Sequence, residues 1–482
     1  MASKTTLNAK NLEALGAPRL AELLIEITTG DAAAKRRLRL ELSGAQSPVE
    51  LAREVRKRLS TIDRARSFVD WQGNRAVVAD LDTQRRAIVE TLAKADAKEA
   101  LDLLWRFMAL ADSVFARCDD SNGAVGGVFR QACADLGPLA VAAKPKPEVL
   151  ADQVYTALVA NAYGQFDGLV EIMAPVLGVP GLDHLKARIV ELSNRPVPRP
   201  ADKDRVKIGW GSGGAIYADE IEERSRLSTV RLALMDIADA LGDVDAFIAQ
   251  YDDKTRKVPK IAADIAQRLL AAGRVEEALR TLDATEHGKP SRWNWPVFDW
   301  EDARIAVLDA LGRTDDAQAV RWSCFERSLS IPHLRDYLKR LPDFDDVEAE
   351  EKALDHAQFV PDPTMALFFL ISYPALERAA DLVIRRAEEL DGDQYEILPR
   401  AADCLAAKYP LAATLLLRAL IDFSLTKARS SRYKHAARHL LECSSLAASI
   451  TDFGAFPSHD AYVARLRSQH GSKEAFWRNV GG

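Results

Sequence analysis

Apolar residues recur every three or four positions along almost the whole chain, which is the spacing of one face of an α-helix. A clear example is a set of four apolar residues after position 50: Leu51, Val55, Leu59 and Ile62. Ser47-Pro48 before them is typical of a helix start, because serine caps a helix and proline suits its first turn. Strand signals are few, since no turn dipeptide stands between alternating apolar and polar residues. The pattern predicts an all-α protein.

The same turn occurs twice between two helical patterns. Residues 271–278 read Ala-Ala-Gly-Arg-Val-Glu-Glu-Ala, and residues 310–317 read Ala-Leu-Gly-Arg-Thr-Asp-Asp-Ala. The glycine predicts a left-handed residue that ends one helix. The acidic pair after it falls in the first turn of the next helix, where negative charge is favourable. A looser version contains Gly242, so the three glycines stand 31 and 39 positions apart.

Further along the chain, proline takes the place of glycine between the helical patterns. Pro374 and Pro410 stand 36 residues apart, and each lies between an apolar run and an alanine-rich run. Spacings of about 35–40 residues are typical of stacked helical hairpins. The sequence therefore predicts an N-terminal helical module followed by a TPR-like α-solenoid of helical hairpins.

Breaks in the pattern divide the chain into five parts. They are an N-terminal helical module at 1–143, connecting helices at 148–193, a proline- and glycine-rich linker or loop at 194–214, TPR-like repeats at 215–445, and a C-terminal capping segment at 446–482. Within the repeats, residues 288–300 carry three tryptophans and interrupt the array. We expect this segment to be a loop packed over a helical pair.

Cysteine usage and hydropathy indicate the compartment. The five cysteines are scattered and form no C-x-x-C pair: Cys118, Cys133, Cys324, Cys404 and Cys443. Free thiols of this kind are typical of a reducing cytoplasm. The first ten residues contain no apolar signal region, and no stretch approaches about 18 uninterrupted apolar residues. We therefore expect a cytoplasmic protein without a membrane span.

The net charge of −6 is unevenly distributed, because both ends are basic. Residues 1–66 hold 13 Lys and Arg against 8 Asp and Glu, and residues 427–482 hold 9 against 4. The candidate anion-binding residues lie on two consecutive predicted helices: Lys35, Arg36, Arg37, Arg39, Arg53, Arg56, Lys57 and Arg58. Packed as a hairpin, these helices could present one surface to phosphates. The alternative is an ordinary solvated charged face.

One helix in the C-terminal half carries a candidate metal site. His435, His439 and Cys443 stand four residues apart, so they share one helix face. Imidazole and thiolate at this spacing can bind a soft divalent metal, with His459 or His470 as a further ligand. The alternative is that the histidines line an interface between helices.

No motif points to catalysis. The glycines at 209–214 lack the Gly-Lys-Ser/Thr of a phosphate-binding loop and follow no predicted strand, so a flexible linker is the expected structure. A serine nucleophile motif, a Cys/His pairing and a dinucleotide fingerprint are also missing from the sequence. We therefore expect neither a cofactor nor an enzymatic activity.

Several segments resemble a bacterial family of unknown function. They are residues 20–26, 30–31, 36–42, 119–123 with Gly126, 409–413, 433–440, His459 with Tyr462, 470–471 and 476–477. Members of this family are similar to helical-repeat regions that sometimes accompany SWIM-type zinc fingers. The zinc finger itself is absent, because no C-x-C precedes a C-x-H. The resemblance implies a helical-repeat fold and no assigned activity.

These patterns favour a non-enzymatic scaffold whose groove binds an unknown protein or peptide partner. A nucleic-acid-associated accessory protein that uses the basic ends is the first alternative. A metal-dependent protein that uses the His/Cys face is the weaker one.

Overall fold

The structure is a computed structural model that describes residues 6–196, 200–211, 213–285 and 298–481. The backbone divides into two compact units, Met1–Asp252 and Asp253–Gly482. Most of the predicted tryptophan-containing loop lies outside the described residues, as do residues 197–199 and 212 of the predicted linker.

Unit 1 consists of thirteen described α-helices and a short hairpin. The helices are α1 Ala9–Glu13, α2 Ala17–Ile27, α3 Ala32–Gln46, α4 Pro48–Arg64, α5 Asn74–Arg86, α6 Ala93–Ala95, α7 Ala97–Met108, α8 Ala111–Phe115, α9 Ala124–Ala143, α10 Pro147–Val159, α11 Leu169–Asn194, α12 Ala218–Leu241 and α13 Val244–Ile248. A π-helical segment, Ala87–Leu92, joins α5 to α6, and a 3-10 turn spans Asp202–Asp204. The strands are β1 Lys207–Gly211 and β2 Gly214–Tyr217.

The core of unit 1 extends from α3 to α12, and α7 contacts both α4 and α9 within it. Leu59 of α4 is fully buried, as the apolar spacing predicts. Phe107 of α7 and Phe129 of α9 are also fully buried, with ring centroids 5.4 Å apart. Ser47 caps α4 by accepting a hydrogen bond from the Glu50 N–H at 3.2 Å. The predicted helix start is therefore confirmed.

The glycine cluster forms an antiparallel hairpin, which differs from the expected flexible linker. Trp210 pairs with Ala215 in its register. The guanidinium of Arg205, just before β1, stacks on the ring of Tyr217 and pairs with Asp219 of α12 at 3.0 Å. Helices α11 and α12 on either side pack on each other and share one core. The strand pairing is local, and Val206, Ile208 and Trp210 alternate with Lys207, Gly209 and Gly211, a strand signal that the helix-based prediction did not use.

Unit 2 is built from helical hairpins that follow one another along the chain. The helices are α14 Asp253–Arg256, α15 Pro259–Ala271, α16 Val275–Asp283, α17 Asp299–Ala310, α18 Thr314–Ser328, α19 Ile331–Leu338, α20 Asp345–Phe359, α21 Pro363–Ser372, α22 Leu376–Arg385, α23 Leu398–Leu405, α24 Pro410–Thr426, α25 Tyr433–Ala447, α26 His459–His470 and α27 Glu474–Gly481. Two 3-10 turns span Ala387–Glu389 and Ser430–Arg432. Each helix packs mainly on helices one or two positions away along the chain, as in an α-solenoid.

The repeated turn has the predicted geometry. Gly273 and Gly312 have φ values of +75° and +70°, and each follows the end of a helix. The N–H of the next residue bonds back across the turn, from Arg274 to the Leu269 carbonyl oxygen at 2.8 Å and from Arg313 to that of Leu308 at 2.9 Å. This bond satisfies a carbonyl that the helix end leaves unpaired. The matching φ values and hydrogen bonds confirm that the two turns are structural repeats.

Helix α24 lies at the centre of the second half of unit 2. It packs against α22, α23 and α25, and apolar residues cover most of its circumference. A helix that is apolar on nearly all sides is stable only when neighbours surround it. This position puts the few polar residues of α24 in the interior.

No helix among the described residues combines the length and apolar character needed to cross a bilayer.

Candidate functional site

Arg418 lies in the middle of α24 and is only 5% exposed. Its Nη1 donates a hydrogen bond to the Pro457 carbonyl oxygen at 2.8 Å. The guanidinium also lies over the ring of Tyr462, 4.4 Å from the centroid. These two contacts hold the side chain in one orientation.

The positive charge of Arg418 has no acidic partner. Its Nε and Nη2 are buried without a hydrogen-bond acceptor, and among the described residues no carboxylate lies within ion-pair distance. Asp422 lies one turn away, but it accepts from the Tyr462 hydroxyl at 3.0 Å and pairs with Arg465 at 2.8 Å. Burial lowers the pKa of Arg418. An unpaired buried charge of this kind is destabilising.

The side chain lines a cleft of about 620 Å³, which we call the Arg418 cleft. Its walls are the loop at 387–392, helix α24 and the start of α26. Gly392 lets this loop approach α24 closely, because a Cβ there would clash with the Ala419 carbonyl oxygen. Exposed charges of both signs surround the opening, among them Glu388 and Lys427. Arg418 is thus the buried charge in a cleft whose opening carries exposed charges of both signs.

His459 adds a second unpaired polar group near Arg418. It is the first residue of α26, and its Nδ1 is buried without a hydrogen-bond partner. Burial lowers the pKa of His459, and the positive charge of Arg418 lowers it further. The imidazole is therefore held in its neutral form.

The predicted metal ligands do not converge. His435 is exposed, whereas the Nδ1 of His439 lies 3.0 Å from Glu442. Cys443 is fully buried, and its Sγ points to the Thr414 carbonyl oxygen at 3.9 Å. Burial raises the pKa of this thiol to about 12. Within the described part of the chain, no group of three His, Cys, Asp or Glu side chains is arranged to hold a metal ion.

The predicted anion-binding residues fall into two groups. Five of them line clefts between α3, α4 and α5: Arg36, Arg37, Arg39, Lys57 and Arg58. The other three lie elsewhere. Lys35 is exposed, Arg53 pairs with Glu50 at 2.6 Å, and Arg56 pairs with Glu99. Of the eight predicted residues, the structure therefore brings only these first five together at the same clefts.

The sequence contains a signal for Arg418 that periodicity does not use. Between Pro410 and Thr426, the charged residues are Arg418 and Asp422 alone. An isolated arginine in an otherwise apolar helix is rarely buried without a partner. Arg418 and Asp422 are four residues apart, which is the spacing of an ordinary salt bridge on a helix. The sequence alone therefore indicates that the two side chains pair with each other.

The fold defines an all-α protein built of helical hairpins. Residues 2–479 match the model of DUF6880, a family of unknown function, and the chain belongs to this family. No curated protein matches the chain. One matching solved structure is described as a "circular tandem repeat protein with novel repeat topology and enhanced subunit contact surfaces". It is 13% identical and covers 98% of this chain and 86% of that chain, with a TM-score of 0.16, too low to support any argument.

Proposed function

We propose that the protein is a non-enzymatic helical-repeat scaffold that binds a segment of a partner protein, and that the Arg418 cleft receives a carboxylate of that segment. The observation that carries this proposal is the buried guanidinium without an acidic partner. A guanidinium presents parallel N–H groups that match the two oxygens of a carboxylate. A ligand carboxylate would therefore complete the site.

The surroundings favour a peptide over a polyanion. Glu388 and Asp391 border the opening, so a chain of phosphates would meet repulsion there. Phe423 and Phe456 supply apolar surface beside the charge. A carboxylate next to an apolar group is a pairing that peptides offer, either at an acidic side chain or at a C-terminus.

The protonation states favour binding over catalysis. Cys443 and Tyr462 are the groups near Arg418 that could act as nucleophiles. Burial raises the pKa of Cys443 to about 12, and burial together with Asp422 raises that of Tyr462 above its usual range. Both therefore stay protonated at neutral pH, and a protonated thiol is a poor nucleophile.

Peptide selection tests this function. The full chain is incubated with a random-sequence peptide library in two forms, with free C-terminal carboxylates and with C-terminal amides. Enriched peptides are then remade with Asn or Gln in place of Asp or Glu. We expect binding to depend on one carboxylate, and its neutral replacement to weaken affinity about tenfold or more, as for a lost charge-assisted hydrogen bond. The two replacements separate a side chain from a C-terminus.

The variant Arg418→Met should abolish this carboxylate dependence. The control is Arg438→Met, because Arg438 is exposed on the neighbouring helix α25 and does not line the cleft. A library that shows no preference for carboxylates over amides would contradict the proposal. So would a carboxylate preference that Arg418→Met leaves unchanged.

Association with nucleic acid is the second candidate, favoured by the arginines that α3 and α4 gather in unit 1. The resemblance to regions that accompany SWIM-type zinc fingers is a second reason to test this candidate. Binding through phosphates should weaken steeply with added salt. Gel-shift titration of DNA and RNA at low salt checks it, and the absence of a shift rejects it.

A cytoplasmic location is part of the proposal. All five cysteines are free thiols, four of them buried. Free thiols of this kind persist where the environment is reducing.

A further inference from the structure

A second cleft, in unit 1, lies between α3, α4 and α5. Its volume is about 480 Å³, within the roughly 300–1,000 Å³ of small-ligand sites. Alanines and aliphatic side chains form much of its wall. We call it the Arg36 cleft, after the arginine that α3 contributes.

Arginine dominates its charge. Four arginines line it, Arg36, Arg37, Arg58 and Arg117, against one carboxylate, that of Asp80. Two of the four are already paired: Arg58 Nε donates to Asp80 Oδ2 at 2.9 Å, and Arg37 Nε lies 3.0 Å from Glu41. The remaining two, Arg36 and Arg117, have no carboxylate within ion-pair distance among the described residues. The cleft therefore carries excess positive charge.

The two unpaired arginines also hold unused donors. The Nε atoms of Arg36 and Arg117 are buried and have no acceptor. Two guanidiniums that face one cleft repel each other unless an anion lies between them. Phosphate is the matching anion, because its oxygens accept several N–H bonds and its charge at pH 7 is about −1.5 to −2.

Gln84 has an unpaired hydrogen-bond acceptor, whereas the two arginines have unpaired donors. It is 4% exposed, lines the same cleft, and its Oε1 is buried without a donor. A buried amide oxygen left unpaired is destabilising. The arginine Nε atoms do not supply the missing hydrogen bond. A ligand that fills this cleft must therefore donate a hydrogen bond as well as carry negative charge.

We propose that the Arg36 cleft binds a small ligand that combines a phosphate group with a hydrogen-bond donor, the chemistry of a nucleoside monophosphate. The phosphate lies between Arg36 and Arg117. An amino or hydroxyl group of the nucleoside donates to Gln84 Oε1, and the apolar wall covers the flat base. This site lies in unit 1 and does not depend on the proposed partner binding of unit 2.

Isothermal titration of the full chain at low salt tests the site. The probes are the four ribonucleoside monophosphates, the matching unphosphorylated nucleosides, and inorganic phosphate. We expect one monophosphate to bind saturably, with its nucleoside and inorganic phosphate each weaker by about tenfold or more. No saturable binding of any monophosphate up to about 1 mM would overturn the proposal. Equal affinity for inorganic phosphate would overturn the nucleoside assignment.

Two variants separate the two halves of the ligand. Arg36→Met should weaken the monophosphate and inorganic phosphate alike, by about tenfold or more. Gln84→Met keeps the side-chain length, so it should weaken the monophosphate about two- to tenfold and leave inorganic phosphate unchanged. Arg53→Met is the control, since Arg53 is exposed and does not line the cleft.

Circular dichroism confirms that each variant is folded before titration. If Arg36→Met binds the monophosphate as tightly as the wild type, the cleft is not the site. The second contrary result is that single-stranded RNA binds with an affinity that grows with its length and that Gln84→Met leaves unchanged. The cleft would then bind a nucleic-acid backbone and not a small ligand. Either result contradicts the proposal.

Discussion

The hydroxyl of Tyr462 donates a hydrogen bond to the carboxylate of Asp422 at 3.0 Å. Asp422 also pairs with Arg465, so both partners of this acid come from α26. The consequence falls on Arg418, which lies one turn before Asp422 on α24 and is left without a counter-charge. The packing of α26 on α24 thus creates an uncompensated guanidinium beside a cleft.

The first prediction concerns the stability cost of this arrangement. Replacing an unpaired buried arginine by an apolar side chain removes the desolvation penalty. We expect Arg418→Met to raise the free energy of unfolding by about 1–3 kcal/mol. Urea denaturation followed by circular dichroism measures it. A loss of stability would show that the Pro457 and Tyr462 contacts outweigh the unpaired charge.

A second buried arginine in unit 2 should behave in the opposite way. Arg321 is fully buried, but its Nε donates to Asp336 at 2.6 Å and it also pairs with Asp309. Asp309 and Asp336 are 34% and 42% exposed and both also pair with Arg340, so the loss of Arg321 leaves neither carboxylate buried and alone. We expect Arg321→Met to lower the free energy of unfolding by about 1–3 kcal/mol, because it removes hydrogen bonds between charged groups. Equal effects of this change and Arg418→Met, measured in the same urea series, would refute the distinction.

The third prediction is a pH dependence that comes from His459. Burial and the neighbouring Arg418 lower its pKa in the folded chain below the ordinary 6.5. The unfolded chain therefore binds the proton first, and stability falls as the pH drops below about 6.5. We expect His459→Gln to reduce the stability difference between about pH 7 and pH 5. An unchanged pH profile of the unfolding midpoint would contradict this assignment.

The fourth prediction concerns the thiols. Cys404 is exposed, whereas the other four cysteines are buried. Burial raises the pKa of Cys133 and Cys324 to about 11 and that of Cys443 to about 12, so these thiols stay protonated at neutral pH. Brief iodoacetamide treatment of the folded protein should label Cys404 alone, and peptide mass spectrometry identifies the site. Labelling in urea should reach all five.

The fifth prediction tests the repeated turn. Gly273 has φ +75°, and nothing lies within 4 Å of a Cβ placed there. The cost of Gly273→Ala is therefore conformational, about 1–2 kcal/mol. The control is Gly127→Ala in α9, which also has open space but no positive φ, and which should stabilise the helix by about 0.5–1 kcal/mol. Thermal unfolding of both variants should shift in opposite directions.

Local patterns predicted a large part of the fold. The apolar spacing that buries Leu59 and the serine cap at Ser47 need only a few neighbouring residues, and so do the turns at Gly273 and Gly312. Their outcome followed from the sequence because helix starts, helix ends and amphipathic faces depend on short-range chemistry. The hairpin at Trp210 was not predicted although its signal is local, because the alternation of Ile208 and Trp210 with Gly209 and Gly211 is too short to stand out in a chain with helical spacing.

The residues that line the two clefts could not be predicted from local patterns. The basic residues of α3 and α4 were recognisable as charge, but Arg117 and Gln84 come from other segments, and only packing places them beside Arg36. The opposite holds for His435, His439 and Cys443. Their spacing correctly predicted a shared helix, but the packing around that helix places the three side chains in different environments.

By itself, the sequence determined the helical hairpins, their spacing, and the presence of Arg418 and Asp422 one turn apart on an apolar helix. A spacing of four residues predicts an ion pair on an isolated helix. Only the tertiary structure decided that Asp422 turns to Tyr462 and Arg465 of α26. The physical reason is competition: a carboxylate bonds to the donors that packing places nearest, and those donors lie about 40 residues further along the chain.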